Sequence, residues 1–189
     1  MTREELLARL LARLPALEES KVPVKGYLTM RLKSAEALLP TARALRDEFG
    51  FDYLEIVSGT DWLGPVKSEG YIGNPNPNVF LPEGAAPQDL PGATAGVDYR
   101  PVFDLLWVFG NIAEKSKLFV RLEVPRDNPR VASLTPIFKA ADWQEREMFD
   151  LMGVVYEGHP NLSKILTPDF IQGHPLRKDY VHIKDQYDE

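Results

Sequence analysis

Four ionisable side chains crowd one helical turn in the last third of this 189-residue chain: Glu145, Arg146, Glu147 and Asp150. Glu147 and Asp150 stand three apart, close enough on a helix to share one substrate as a general acid and base. Arg146, four residues before Asp150, would depress both carboxyl pKa values, which suits neither a neutral acid nor a poised base. The pattern also fits a solvated helix face, or an internal ion network fastening the helix to the segment after it. The network reading accounts best for so dense a cluster beside Trp143, because an isolated pair of this kind stabilises a helix by only ~0.2–0.5 kcal/mol. Glu145 differs from its neighbours. Ala141, Met148, Leu151 and Met152 share one helix face, and Glu145 falls within that apolar stripe. A buried carboxylate is costly without a donor, so Glu145 must be partnered or must face a neighbouring protein.

Histidines are the other candidates for chemistry. His159, His174 and His182, with Asp150, Asp169 or Asp179, contain the donors for a zinc site. Their spacings of 15 and 8 residues cross Pro-rich backbone, whereas zinc motifs place two ligands on one short rigid element. The dipeptides His159-Pro160 and His174-Pro175 read better as backbone devices, since proline fixes its own φ and keeps the preceding residue out of the helical region.

The segment carrying them, from Glu157 onward, is too rich in Pro and Gly to fold alone, yet holds Leu162, Ile165, Leu166, Phe170, Ile171, Leu176 and Tyr180. It must pack on its own domain or on a partner. The cluster Arg177-Lys178-Asp179-Tyr180 mixes both charge signs with an aromatic ring, as protein interfaces do.

The elements that position these residues follow from pattern. Thr2 and Glu5 form a capping box before the helical repeat Leu7, Leu10, Leu11, Leu14. Residues 22–32 alternate around Gly26 as one strand or a hairpin. Ser34 caps a second helix that Gly50 stops, and Pro40 makes it kink or start later. Strands are expected at 51–58, Val102–Val108 and Leu118–Val124, the last two antiparallel. Ser133 caps a short turn through Phe138, and the charged helix runs from about Ala140 to Met152, stopped by Gly153. Between Trp62 and Pro101, runs such as GNPNPN leave a long loop, either a surface loop or a contact arm. The expected class is α+β, a two-layer sandwich of helices on a mixed β-sheet with a long extended C-terminal arm. The expected division is a core at 1–156, including the loop 62–101, followed by the arm 157–189.

Composition narrows the function. With no cysteine, disulfides and Cys-ligated zinc or iron–sulfur clusters are excluded on the sequence given. A formal charge of −6 without a basic stripe disfavours nucleic acid. The most apolar run, Val102–Phe109, is broken by Asp104 and falls short of the ~20 residues a membrane helix needs. Glu4 and Glu5 count against a transit peptide, and no charged-then-apolar signal pattern opens the sequence, so a cytoplasmic chain is expected.

Six pieces at fixed spacing carry a resemblance: Glu145-Arg146-Glu147, Asp150, Gly153, the EGHP run at 157–160, Lys164-Ile165-Leu166, and GHPLRKDY at 173–180. In these the chain closely resembles the C subunit of the proton-pumping NADH:quinone oxidoreductase, respiratory complex I. Ser163 departs from the family's usual basic residue or proline, and the connection at 62–101 is longer than usual. The resemblance implies a peripheral-arm subunit on the cytoplasmic side of the cell membrane, held through partners, with no catalytic, cofactor or metal residues of its own. FMN, iron–sulfur clusters and quinone would sit on other chains. The D, B and I subunits of complex I would be its neighbours, and its contribution would be to keep them in register. Glu145, Arg146, Glu147, Asp150, Gly153, His159, Pro160 and Lys164 match the structural signature. His174, Pro175, Leu176, Arg177, Lys178, Asp179 and Tyr180 are expected at a partner interface. Membrane-bound hydrogenases, ferredoxin-dependent quinone reductases and photosynthetic complexes use a homologous subunit and remain alternatives. A stand-alone metal-dependent or acid–base enzyme built on Glu147, Asp150 and the histidines is a third.

Overall fold

The computed structural model describes residues 2–64 and 98–181. The expected loop at 62–101 therefore lies largely outside the described residues, as do His182 and the rest of the C-terminus. The first helix, α1 (Arg3–Arg13), opens on the expected capping box, with the Thr2 hydroxyl accepting from Glu5 N–H and the Glu5 carboxylate from Thr2 N–H. It buries Leu6 and Leu10. A hairpin follows, formed by β1 (Leu17–Glu19) and β2 (Leu28–Leu32), paired Leu17 to Leu32. The alternation read at 22–32 thus resolves into a turn through Gly26, with φ +85°, and a strand that starts only at Leu28.

A 3-10 turn at Ala35–Ala37 leads into α2 (Leu38–Phe49), which starts later than Ser34, as Pro40 allows. Pro40 sits in the first turn, where its missing N–H has no intrahelical partner to lose. Gly50 ends α2 in the left-handed conformation at φ +74°. The longer strands are β3 (Tyr53–Asp61), β4 (Val102–Asn111) and β5 (Ser116–Pro125). With β1 and β2 they make a mixed sheet in the order β1-β2-β5-β4-β3, in which only β2 and β5 run parallel. Besides β1, two strands were not foreseen: β6 (Arg130–Ala132) and β7 (Val155–Glu157), which pair in parallel around α3 (Ala141–Met152). The class is α+β.

Helices cover one face of the sheet. Along β5, Leu118, Val120, Leu122 and Val124 are buried, while Lys117, Arg121 and Glu123 between them are not. The buried set joins Leu10, Leu45, Phe103, Trp107, Phe138, Met148 and Tyr156 in one core. The other face carries charge pairs such as Lys117–Glu55 at 2.6 Å and Arg31–Glu123 at 3.2 Å. At the sheet's outer edge, β3 has an irregularity between Leu54 and Ile56. There Val57 N–H donates to the Gln144 side chain of α3 at 2.5 Å. Helix α3 is therefore seated against the core, with its C-terminal end presented to the arm.

Candidate functional site

Asp150 is fully buried near the end of α3, yet its donors come from fifteen or more residues away. Its Oδ2 accepts the backbone N–H groups of Ile165, Leu166 and Thr167 at 3.0, 2.8 and 2.9 Å, and its Oδ1 accepts the Thr167 hydroxyl at 2.5 Å. Burial alone would raise this carboxyl. The Thr167 hydroxyl and the three N–H groups outweigh it and bring the pKa down to about 2. Arg146 does not pair with Asp150. Its Nε and Nη2 donate to the carbonyls of Ser163 and Lys164 at 3.1 and 3.2 Å. The expected ion network is corrected accordingly: the helix is fastened to the arm through the arm's backbone, each charge taking peptide groups instead of its opposite. A guanidinium reaches a peptide carbonyl without the desolvation of a second ion, and the cluster of N–H groups satisfies Asp150 without a cation. Glu147 is exposed while Asp150 is sealed, so the two converge on no common cavity.

Glu145 points the other way. It is fully buried, with Oε1 accepting Leu134 N–H at 2.7 Å and Oε2 accepting the Ser133 hydroxyl at 2.6 Å. Ser133 also caps its own turn by accepting Thr135 N–H at 3.1 Å. Burial pushes the Glu145 carboxyl up to about 7, against the pull of those two donors. The buried Tyr156 hydroxyl is raised well above its usual value, first by burial and then by Glu145 beside it.

The end of α3 is completed by the arm. Gly153 adopts φ +74°, and a Cβ there would lie 2.5 Å from His174 Nε2 and 2.7 Å from Arg177 Nη2. Only glycine meets both demands. His174 Nδ1–H donates to Asp150 O at 2.9 Å, Leu176 N–H to Leu151 O at 2.9 Å, and Arg177 Nε–H to Met152 O at 2.8 Å. These are the carbonyls a helix leaves unpaired at its C-terminus. His159 accepts Asn161 N–H at Nδ1, so its Nε2–H donates to Asp142 O at 3.1 Å. Lys164 Nζ reaches Ile171 O at 2.5 Å. Pro160 and Pro175 follow their histidines as expected, and Tyr180 N–H bonds Arg177 O at 3.1 Å. Both described histidines thus hold backbone. His182 lies outside the described residues, and among those described no group of three or more His, Asp or Glu could hold a metal.

Asp61 and Arg126 escaped the sequence reading. Arg126 Nε sits 3.0 Å from both Asp61 oxygens, and its Nη1 reaches Asp179 at 2.9 Å, with a second bond from Nη2. Asp61 also accepts Lys178 N–H at 2.9 Å and Leu63 N–H at 3.0 Å. Arg126 and Arg177 lie over the Phe103 ring, 5.6 and 5.2 Å from its centroid. Burial and Arg126 nearby lower the Arg177 pKa. One signal was available: alternation along β3 turns Asp61 inward with Val57 and Gly59, an unusual place for a carboxylate. Leu166, Phe170, Leu176 and Val181 of the arm, and Trp143 of α3, are each more than half exposed.

Comparison with known proteins adds ancestry to this geometry. The family model for the respiratory-chain NADH dehydrogenase, 30 Kd subunit, matches residues 79–186. The C subunit of the NADH-quinone oxidoreductase of Xanthomonas campestris pv. campestris (strain B100) is 34% identical over 206 aligned positions, covering 96% of this chain and 79% of that protein. The protein of the same name from Xanthomonas oryzae pv. oryzae (strain PXO99A) is 33% identical with the same coverage. Among solved structures, a chain of the membrane-bound sulfane sulfur reductase, an archaeal respiratory membrane complex, shares the fold at a TM-score of 0.52 and 18% identity, covering 89% of this chain and 76% of that one.

The two carboxylates predict opposite pH dependences. Glu145 has a folded pKa of about 7 against 4.5, so the folded state binds its proton more tightly. Its contribution to stability is complete below pH 4.5 and declines as pH rises to 7, by up to about 3 kcal/mol. Asp150, lowered from 3.8 to about 2, contributes above pH 3.8 and loses that contribution as pH falls through 2. Urea unfolding midpoints should therefore peak near pH 4–5 as far as these two groups decide. Glu145→Gln should flatten the decline between pH 4.5 and 7; an unchanged slope would place its source elsewhere. Asp150→Ala should cost about 3 kcal/mol and remove hydrogen-exchange protection at Ile165–Thr167.

Proposed function

This chain belongs to the family of the NADH-quinone oxidoreductase C subunit, the respiratory-chain NADH dehydrogenase 30 Kd subunit, and we propose that it serves as the cofactor-free peripheral-arm subunit of a proton-translocating NADH:quinone oxidoreductase. In this reading, electrons pass from NADH through FMN and iron–sulfur centres to quinone on partner chains. This subunit holds the quinone-site neighbours, the D, B and I subunits, in register on the cytoplasmic side of the membrane. No helix among the described residues is long and apolar enough to cross a membrane, so attachment through partners fits.

The pinned arm is the observation that carries the reading. Asp150, Arg146 and the Gly153 contact hold it to the domain, while its Leu166, Phe170 and Leu176, and Trp143 of α3, stay exposed. A stretch fixed within and apolar without, as at 163–171, is what a scaffold subunit needs, because that part of the interface is ordered before the partner arrives. Within the span 174–180, the side chains of His174, Arg177 and Asp179 bond their own domain, so while the arm is docked the side chains of Leu176 and Lys178 are the exposed ones a neighbour can meet. The stand-alone enzyme finds no support in the sealing of Asp150 away from Glu147. A sister complex is the second reading, favoured only by the fold shared with the sulfane sulfur reductase chain.

A tagged pull-down from gently solubilised native membranes tests the proposal. Recovery with flavin, iron–sulfur and membrane subunits and with inhibitor-sensitive NADH:quinone activity is the expected result. Co-purification with hydrogenase or ferredoxin-linked partners would transfer the chain to a sister complex, and a lone soluble protein would overturn the scaffold reading. Trp143→Ser and Leu166→Ser should change the isolated domain's stability by no more than about 0.5 kcal/mol while sharply lowering the amount of assembled complex. Arg146→Ala should likewise reduce assembly more than it reduces the stability of the isolated chain, read by thermal unfolding.

A further inference from the structure

The arm meets its domain through two sets of contacts that differ in what is left behind when they open. The first set lies at 163–171. Ile165, Leu166 and Thr167 surround the Asp150 carboxylate, Arg146 grips the Ser163 and Lys164 carbonyls, and Lys164 closes the stretch onto Ile171 O. Asp150 is fully buried under this stretch, and its own helix supplies none of these donors. Opening the stretch exchanges four hydrogen bonds to a charged carboxylate, and two from a guanidinium, for water at once, and bonds to charged groups are the costlier ones to give up.

The second set lies at 174–181. Here the domain contributes the carbonyls of Asp150, Leu151 and Met152 and the Asp61–Arg126 pair. Helix-terminal carbonyls accept water readily once uncovered, and Asp61 keeps both bonds to Arg126 whether or not the arm is present. Leu176 is 58% and Val181 63% exposed, so the packing that holds this part comes from His174 beside Phe149 and Arg177 over Phe103 and not from aliphatic burial. Between the two sets stand Gln172 and Gly173, both exposed, the glycine at φ +78° where the chain turns toward His174. The stretch before them bonds within itself, Ile171 N–H to Pro168 O at 3.1 Å.

The geometry points to an arm built of two independent docking units joined at Gln172–Gly173: a locked unit at 163–171 and a releasable strap at 174–181 that Arg126 latches through Asp179. Its use rests on the scaffold reading above. The strap would leave its own helix end and bind peptide carbonyls and carboxylates of a neighbouring subunit with His174 and Arg177, while the locked unit keeps the arm attached. The mechanics can be tested without any partner, so their failure is separate from failure of that reading.

Residue-resolved amide hydrogen exchange of the isolated full chain is the experiment. In the unaltered chain Leu176 and Lys178 should exchange at least about tenfold faster than Ile165, Leu166 and Thr167, as one set opens below the free energy of the other. Arg126→Ala removes both bonds to Asp179 and leaves Asp61 without its cation, and should speed Leu176 and Lys178 by at least about another tenfold while leaving 165–167 unchanged. Asp179→Asn removes only the arm's side of the latch and supplies the same reading, with a smaller acceleration, should Arg126→Ala fail to fold. Equal exchange rates in the two segments, or equal acceleration of both by either variant, would show one cooperative unit and overturn the proposal.

Discussion

A carboxylate inside a protein needs donors, and helix α3 cannot provide them for Asp150. An α-helix commits its own N–H groups to the carbonyls one turn back, so an acceptor buried near its C-terminus must be served from outside. Three successive N–H groups of the arm converge on one oxygen. That convergence needs backbone whose N–H groups no helix or strand ladder has already taken, as in this irregular stretch. The irregular chain after β7, unpromising as a folding unit, is therefore the partner this carboxylate requires. Arg146 one turn earlier takes the carbonyls just upstream, so adjacent donors and acceptors of the same stretch are matched to opposite charges on one helix.

The same helix carries a second acid with the reverse character. Glu145 and Asp150 are five residues apart and so face different sides of α3. One lies under the core, where burial outweighs two donors. The other lies under the arm, where four donors outweigh burial. Glu145 lies deeper and has two donors, Asp150 lies shallower and has four, and depth and donor count together set the opposite signs. Through Glu145 the helix is tied to the Ser133–Thr135 turn, and through Asp150 to residues 165–167. Its position is thus set by two polar anchors in addition to Met148 and Met152 packing on Gly59.

Much of this was legible beforehand where a repeat was long enough to read. The capping box, both glycine stops, the three long strands and the charged helix follow from period and punctuation. The three-residue strands β1, β6 and β7 do not, because three residues hold no alternation to detect. At the site, the residue types were readable and their partners were not. Spacing alone made Arg146 and Asp150 an obvious pair, and only the fold shows that each had a better offer from the arm. Asp61 and Lys178 meet across 117 positions, a contact that no local pattern announces. The family resemblance drew attention to this stretch of chain; it did not say that the histidines within it hold carbonyls.

Among the described residues β3 is an outer strand of the sheet, and this carries one more consequence. A free outer strand is an invitation to strand addition, by which chains zip into larger sheets or aggregate. In β3 that invitation is withdrawn at Val57, whose outward N–H is taken by Gln144, beside a kink between Leu54 and Ile56. A protein produced as one part of a larger machine spends time alone and in company with copies of itself. Blunting this edge steers growth away from self-templating sheets during that wait, and leaves joining to side chains, which discriminate between partners where bare backbone cannot.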